Sequence, residues 1–122
     1  MEIRNDQLEK FRDLKIRGSE LSEGGKIDLF NVTPEQNRPV PIFPEHVITL
    51  LNKFKTQEIS KTRLLEWVNT VMFTDLFDYA EEYQDSIASV IGELEEFDEE
   101  GKDLTPKKFD RLLAALQNNT EV

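Results

Sequence analysis

Apolar residues recur along most of this chain three and four positions apart, the spacing that lays one face of a helix against a core. Leu8, Phe11 and Leu14, with charges between them, predict a short amphipathic helix over residues 4 to 16 that ends at Gly18. From Ser19 to Phe43 the periodicity fades. Gly24-Gly25 marks a turn, Ile27-Asp28-Leu29 alternates briefly, and Pro34, Pro39 and Pro41 hold the backbone extended. This stretch is expected to be an irregular arm wrapped on a helical core, with a short β-hairpin allowed within it.

Regular spacing returns at Pro44, which suits a first helical turn, and Val47, Leu50, Leu51 and Phe54 then form a stripe. A further helix is predicted from Ser60, with Ile59 stapled to Leu64 around the serine cap and Leu64, Trp67, Val68, Val71 and Met72 facing inward. The longest predicted helix runs from about Asp78 to Glu96, with Tyr83, Ile87, Val90, Ile91 and Leu94 buried. The last begins at Thr105-Pro106, repeats the staple with Leu104 and Phe109, and buries Leu112, Leu113 and Leu116. Short connections between helices favour antiparallel neighbours. The expected fold is therefore all-α, a small antiparallel helical bundle of four to five helices. Residues 1–122 are expected to form a single domain, with the N-terminal helix and arm in 1–43 and the bundle in 44–117.

Composition narrows this picture. Apolar residues make up 38% and charged residues 33% of the chain, so the core is expected to be thin and the surface heavily solvated. There is no cysteine, which removes disulfides, thiolate metal sites and cysteine nucleophiles and leans towards a reducing compartment. Met1 to Lys15 lacks the apolar run of a signal peptide, and a cytoplasmic location is expected.

Charge changes the picture most. The net charge is −10, and the segment from Asp75 to Asp103 holds twelve acids against one base, Lys102, leaving the other ninety-three residues at +1. Such a field repels nucleic acid and anionic membranes and attracts basic surfaces. Like charges at helical i,i+3 and i,i+4 spacing cost a few tenths of a kcal/mol each, so stability alone would have mixed in lysines.

On a helical wheel centred on Ile87, Asp78, Glu82, Asp85, Glu93 and Glu96 fall together on the opposite side, with Ser89 and Gly92 in the middle of the stripe. A partner side chain could approach the backbone there between carboxylates. Phe77 and Tyr79, next to this run, have the chemistry of interface anchors. The candidate partner-binding set is Phe77, Asp78, Tyr79, Glu82, Asp85, Ser89, Gly92, Glu93 and Glu96. Trp67 and Tyr83 are assigned to the core. Lys107 and Lys108, bases in a first helical turn, are expected to pack beside Glu99 and Glu100.

Catalytic and metal chemistry finds little support. With Gly101 at the sixth position of a calcium loop, the twelfth is Lys107 where a bidentate glutamate is required. His46 is the single histidine and has no second histidine or cysteine with which to hold a metal. Glu45, His46 and Glu66 offer acid–base groups without a nucleophile or an oxyanion device. No catalytic residue, metal, cofactor or small-molecule substrate is expected.

From Val47 to Leu116 the chain resembles the bacterial colicin-D-type immunity proteins. The resemblance lies in Leu50, Leu51 and Phe54 closing one helix, then Glu58-Ile59-Ser60, then an amphipathic helix followed by acidic ones. It implies a small acidic helical protein that plugs the cleft of a basic toxin, in particular a nuclease. A phosphate-binding cleft is basic, so an acidic surface competes for it. The rival expectation is a helical adaptor that takes a basic peptide or partner helix in a groove.

Overall fold

The computed structural model describes residues 2–18, 33–99, 101 and 103–122. Five α-helices dominate them: α1 (Asn5–Arg12), α2 (Pro44–Lys55), α3 (Lys61–Phe73), α4 (Gln84–Glu95) and α5 (Pro106–Asn118). Four short strands, β1 (Glu2–Ile3), β2 (Thr33–Pro34), β3 (Val40–Ile42) and β4 (Phe77–Tyr79), and three 3-10 turns accompany them. The fold is mostly helical, as the periodicity predicts.

The strands differ from expectation. β1 pairs with β2 and β3 with β4, both in parallel, so β2 and β3 do not form a hairpin with each other. The Ile27 to Leu29 alternation lies outside the described residues. Parallel pairing needs a long crossover, and here α2 and α3 together supply it between β3 and β4. The helix predicted from Asp78 to Glu96 is correspondingly shorter. Phe77–Tyr79 is extended, Glu81–Tyr83 forms a 3-10 turn, and the α-helix begins at Gln84. Register with β3 decides this, because Val40, Pro41 and Ile42 lie opposite Phe77, Asp78 and Tyr79 and take up their backbone groups.

Helix ends follow their local chemistry. Ser60 Oγ accepts from the Arg63 N–H at 3.1 Å, and Thr105 Oγ1 from the Lys108 N–H at 3.2 Å, the two caps expected from sequence. α1 stops at Arg12, short of Gly18, because Leu14 turns left-handed (φ 63°) and the Lys15 N–H reaches back to the Lys10 carbonyl at 2.8 Å. Burial of the Leu14 side chain offsets that strain. α2 ends the same way, with Gln57 at φ 65° and the Glu58 N–H on the Lys53 carbonyl at 2.8 Å.

One core runs through the helices. Val47, Leu50 and Leu51 of α2, Leu64, Trp67 and Val68 of α3, Ile87, Val90, Ile91 and Leu94 of α4, and Leu112 and Leu116 of α5 are all buried. Ser86, also buried, donates its hydroxyl to the Ala115 carbonyl at 3.0 Å and ties α4 to α5 without leaving a polar atom unmatched. The end of α2 meets the turn after α4 where the Phe54 ring stands edge-on to Phe97 at 5.4 Å. Met72, assigned inward by its spacing, is instead 40% exposed beside Phe73 at 50%, because α3 buries its Trp67-Val71 side.

α3 also holds the N-terminal segment. The Trp67 indole N–H donates to the Arg12 carbonyl at 3.1 Å and the Arg63 guanidinium to the Leu14 carbonyl at 2.8 Å. Glu66 accepts from the Gly18 N–H at 2.8 Å and pairs with Arg17 at 3.3 Å. The carbonyls left open at the end of α1 are thereby satisfied by side chains from elsewhere in the chain.

Gln57 is exposed and left-handed, so Gln57→Gly removes a Cβ clash from an already committed turn. Chemical denaturation is expected to show a gain of about 1 kcal/mol. Ser60→Ala, by the same measurement, is expected to lose about 1 kcal/mol through the missing cap.

Candidate partner-binding surface

The β3–β4 pairing brings two sequence-distant segments side by side. The Ala80 N–H donates to the Ile42 carbonyl at 2.9 Å, which sets Phe43-Pro44-Glu45 at the start of α2 beside the Glu81–Tyr83 turn. Leu116 of α5 contributes the floor. Phe43, Pro44, Glu45, Glu82, Tyr83 and Leu116 line an open recess of 470 Å³.

The recess wall is fixed by hydrogen bonds. The Phe43 N–H donates to His46 Nδ1 at 2.9 Å, the Tyr83 N–H to the Ala80 carbonyl at 2.9 Å, and the Asn119 side-chain amide to the Glu82 carbonyl at 3.1 Å. Asn119 reaches Glu82 because it ends α5 in the left-handed conformation, where the Thr120 N–H closes on the Ala115 carbonyl at 3.0 Å. Phe43, 38% exposed, packs its ring 5.9 Å from the imidazole of His46.

Two carboxylates, Glu45 and Glu82, line this opening, and Asp78, Glu81 and Asp85 lie within four residues of Glu82 in the chain. Glu45, Asp78, Glu81, Glu82 and Asp85 are all exposed, and none forms an ion pair among the described residues. Asp85 also sits in the first turn of α4, where the helix dipole favours an anion.

The candidate residues do not all lie on this edge. Asp78, Glu82 and Asp85 face solvent as expected. Tyr79 is half-buried, and desolvation pushes its hydroxyl above the ordinary tyrosine range. Phe77 is buried, its ring 5.9 Å from that of Phe11, so it is a core residue and not an interface anchor. The inward alternation of β4 accounts for this, with Phe77 pointing to the core and Asp78 away.

Farther along α4 the stripe closes. Ser89 donates to the Ser86 carbonyl at 2.8 Å and accepts from the Val122 N–H at 3.1 Å, so residues after α5 lie across its middle. Glu93 is neutralised by Lys108 at 3.2 Å. That pairing replaces the expected packing of Lys108 beside Glu99. Glu96 is partly buried in the 3-10 turn after α4. Among the described residues nothing beyond the backbone of its own helix lies within 4 Å of where a Cβ at Gly92 would stand, so the glycine answers no close approach there. Tyr83, assigned to the core, is half-buried and lines the recess.

Sequence reasoning missed Phe43, Glu45, Glu81 and Leu116. Their signal was weak. Phe43-Pro44-Glu45 read as an ordinary helix start, and its meaning depends on a strand pairing that three residues per strand do not announce.

Acid–base groups are dispersed. Glu66 is engaged by Gly18 and Arg17, and His46 by Phe43, with Nε2 3.6 Å from the Asp13 carboxylate. Of Glu45, His46 and Glu66, Glu45 alone lines the recess. Among the described residues no group of three His, Asp or Glu side chains is arranged to hold a metal ion. A second, smaller groove of 230 Å³, lined by Phe54, Leu104, Pro106 and Phe109, carries one base and one acid, Lys55 and Asp110, and so has no charge preference.

Comparison with protein-family models, with curated proteins and with solved structures returned no match to the chain.

His46 supplies a pH test of this edge. Because Nδ1 accepts the Phe43 N–H, the neutral ring carries its proton on Nε2. Desolvation first, and the Arg12 charge second, hold its pKa below the ordinary 6.5 against the opposing pull of Asp13 and Glu45. The unfolded chain therefore binds this proton more readily than the folded one. The stability contribution is complete above 6.5 and is lost as pH falls from there through the lower folded value. Denaturation midpoints are expected to drop as pH falls below 6.5, and His46→Gln is expected to flatten that drop.

Proposed function

We propose that this protein is a helical-bundle inhibitor of immunity type, which binds and blocks a basic protein partner, a bacterial nuclease toxin in particular, inside the cytoplasm of the cell that makes it. The observation that carries the reading is the group Glu45, Asp78, Glu81, Glu82 and Asp85, five exposed carboxylates without an ion pair among the described residues, of which Glu45 and Glu82 line one recess together with Phe43, Pro44, Tyr83 and Leu116. Leaving like charges together costs each isolated molecule some stability, and a cationic surface recovers it. The resemblance of residues 47 to 116 to colicin-D-type immunity proteins supports the choice of a toxin as that partner. No helix among the described residues is long and apolar enough to cross a membrane. Metal, cofactor and substrate play no part in this reading.

A second reading, a helical adaptor for basic peptides, is favoured by the recess itself, which lies between α2 and α5 and is open enough to admit an extended segment.

Capture from an extract of the native host separates the two. The wild-type protein is expected to retain a folded basic protein that salt releases, and Asp78→Lys, Glu82→Lys and Asp85→Lys together are expected to weaken that complex on the order of 100-fold at low salt. Circular dichroism of the triple variant should match the wild type, since all three side chains are exposed. Retention of short basic peptides alone selects the adaptor. Unchanged affinity of the triple variant removes this edge as the interface.

A further inference from the structure

We propose that the recess between Phe43 and Tyr83 is an arginine socket, receiving one guanidinium side chain that projects from the basic partner. The proposal rests on the reading of this edge as a partner surface and specifies what the edge selects. Three features of the recess point to arginine. Its lining combines two aromatic residues, Phe43 and Tyr83, with aliphatic Pro44 and Leu116, which suits a long side chain with an apolar stem. Carboxylates Glu45 and Glu82 come from different elements and both border the same opening, so a cation seated there meets negative charge from two directions. Neither carboxylate is neutralised by a lysine or arginine of the described residues.

Arginine fits this combination better than lysine. A guanidinium is flat, stacks on aromatic faces, and directs donors outward in its own plane, whereas an ammonium is a strongly hydrated point charge. The socket is also built before the guest arrives. The Phe43 N–H is held by His46 and the Glu82 carbonyl by Asn119, so the backbone that carries both side chains needs no ordering when the guest binds. At 470 Å³ the recess has room for the backbone next to the arginine as well. The smaller groove beside Phe109 lacks these properties, since Lys55 stands over the Phe109 ring at 5.0 Å and occupies the position an incoming cation would take.

The test is a titration of the isotope-labelled protein, followed by amide chemical shifts, with acetyl-Gly-Gly-Arg-Gly-Gly-amide and with the same peptide carrying lysine or citrulline in place of arginine. The arginine peptide is expected to shift Phe43, Glu45, Glu82 and Tyr83 and to saturate in the millimolar range. The lysine peptide is expected to bind about threefold more weakly or worse, and the uncharged citrulline peptide to leave these residues unmoved. Glu82→Gln and Phe43→Ala, both at exposed positions, are each expected to weaken the arginine peptide about threefold or more. Shifts spread along Asp75 to Glu99 with equal response to lysine would overturn the socket, as would the absence of shifts at the recess. If the peptide misses the recess while the triple charge reversal still releases the host partner, the arginine proposal falls and the partner surface stands. If charge reversal leaves the host partner bound, both fall.

Discussion

Parallel pairing between Val40–Ile42 and Phe77–Tyr79 is the constraint on which the rest of this molecule depends. It spans three residues on each side and is extended by two further backbone bonds, from the Val40 N–H to the Leu76 carbonyl and from the Ala80 N–H to the Ile42 carbonyl. Because the strands run in parallel, everything between them, α2 and α3, must cross from one to the other and return to the same end. That crossover delivers Phe77 into the core against Phe11 and places the Glu81–Tyr83 turn at the start of α2. A recess bounded by α2, α5 and the turn is the geometric consequence.

The same pairing divides the acidic segment into parts with different fates. Its first part, Asp78 to Asp85, follows the strand and the turn and stays open to solvent. Its second part lies on α4 beside α5, where Lys108 neutralises Glu93 and the Val122 N–H donates to Ser89 Oγ. A net charge concentrated in one stretch of sequence therefore becomes a smaller edge in space, joined by Glu45 from a segment thirty residues upstream. Screening limits the reach of this edge to roughly 8–10 Å in physiological salt, so its direct effect falls on what docks at the recess, and its longer-range effect on the rate of encounter.

Stability and recognition draw on the same few anchors. His46 closes the first turn of α2 by accepting the Phe43 N–H, and in doing so presents the Phe43 ring at the recess. Asn119 ends α5 in a left-handed turn, and its side chain then fixes the carbonyl of Glu82. Residues that satisfy helix ends thus also fix the backbone that carries the groups offered to a partner. The N-terminal segment is held on α3 by Trp67, Arg63 and Glu66, and its Asp13 lies 3.6 Å from His46 Nε2.

Local chemistry determined the helices. The spacing of Val47, Leu50 and Leu51, the caps at Ser60 and Thr105, and the prolines at the first positions of α2 and α5 act within a few residues, and each is visible in the order of amino acids. Excess negative charge between Asp75 and Asp103 was equally legible, since charge adds along a chain wherever it folds. Tertiary structure decided the rest. Extended Phe77–Tyr79, the exposure of Met72, the burial of Phe77 and the union of Phe43, Glu45, Glu82 and Leu116 depend on non-local contacts, above all a strand pair too short to leave a period-two pattern. Helical order is written in neighbours three and four apart, whereas a surface assembled from three elements exists in the packing alone.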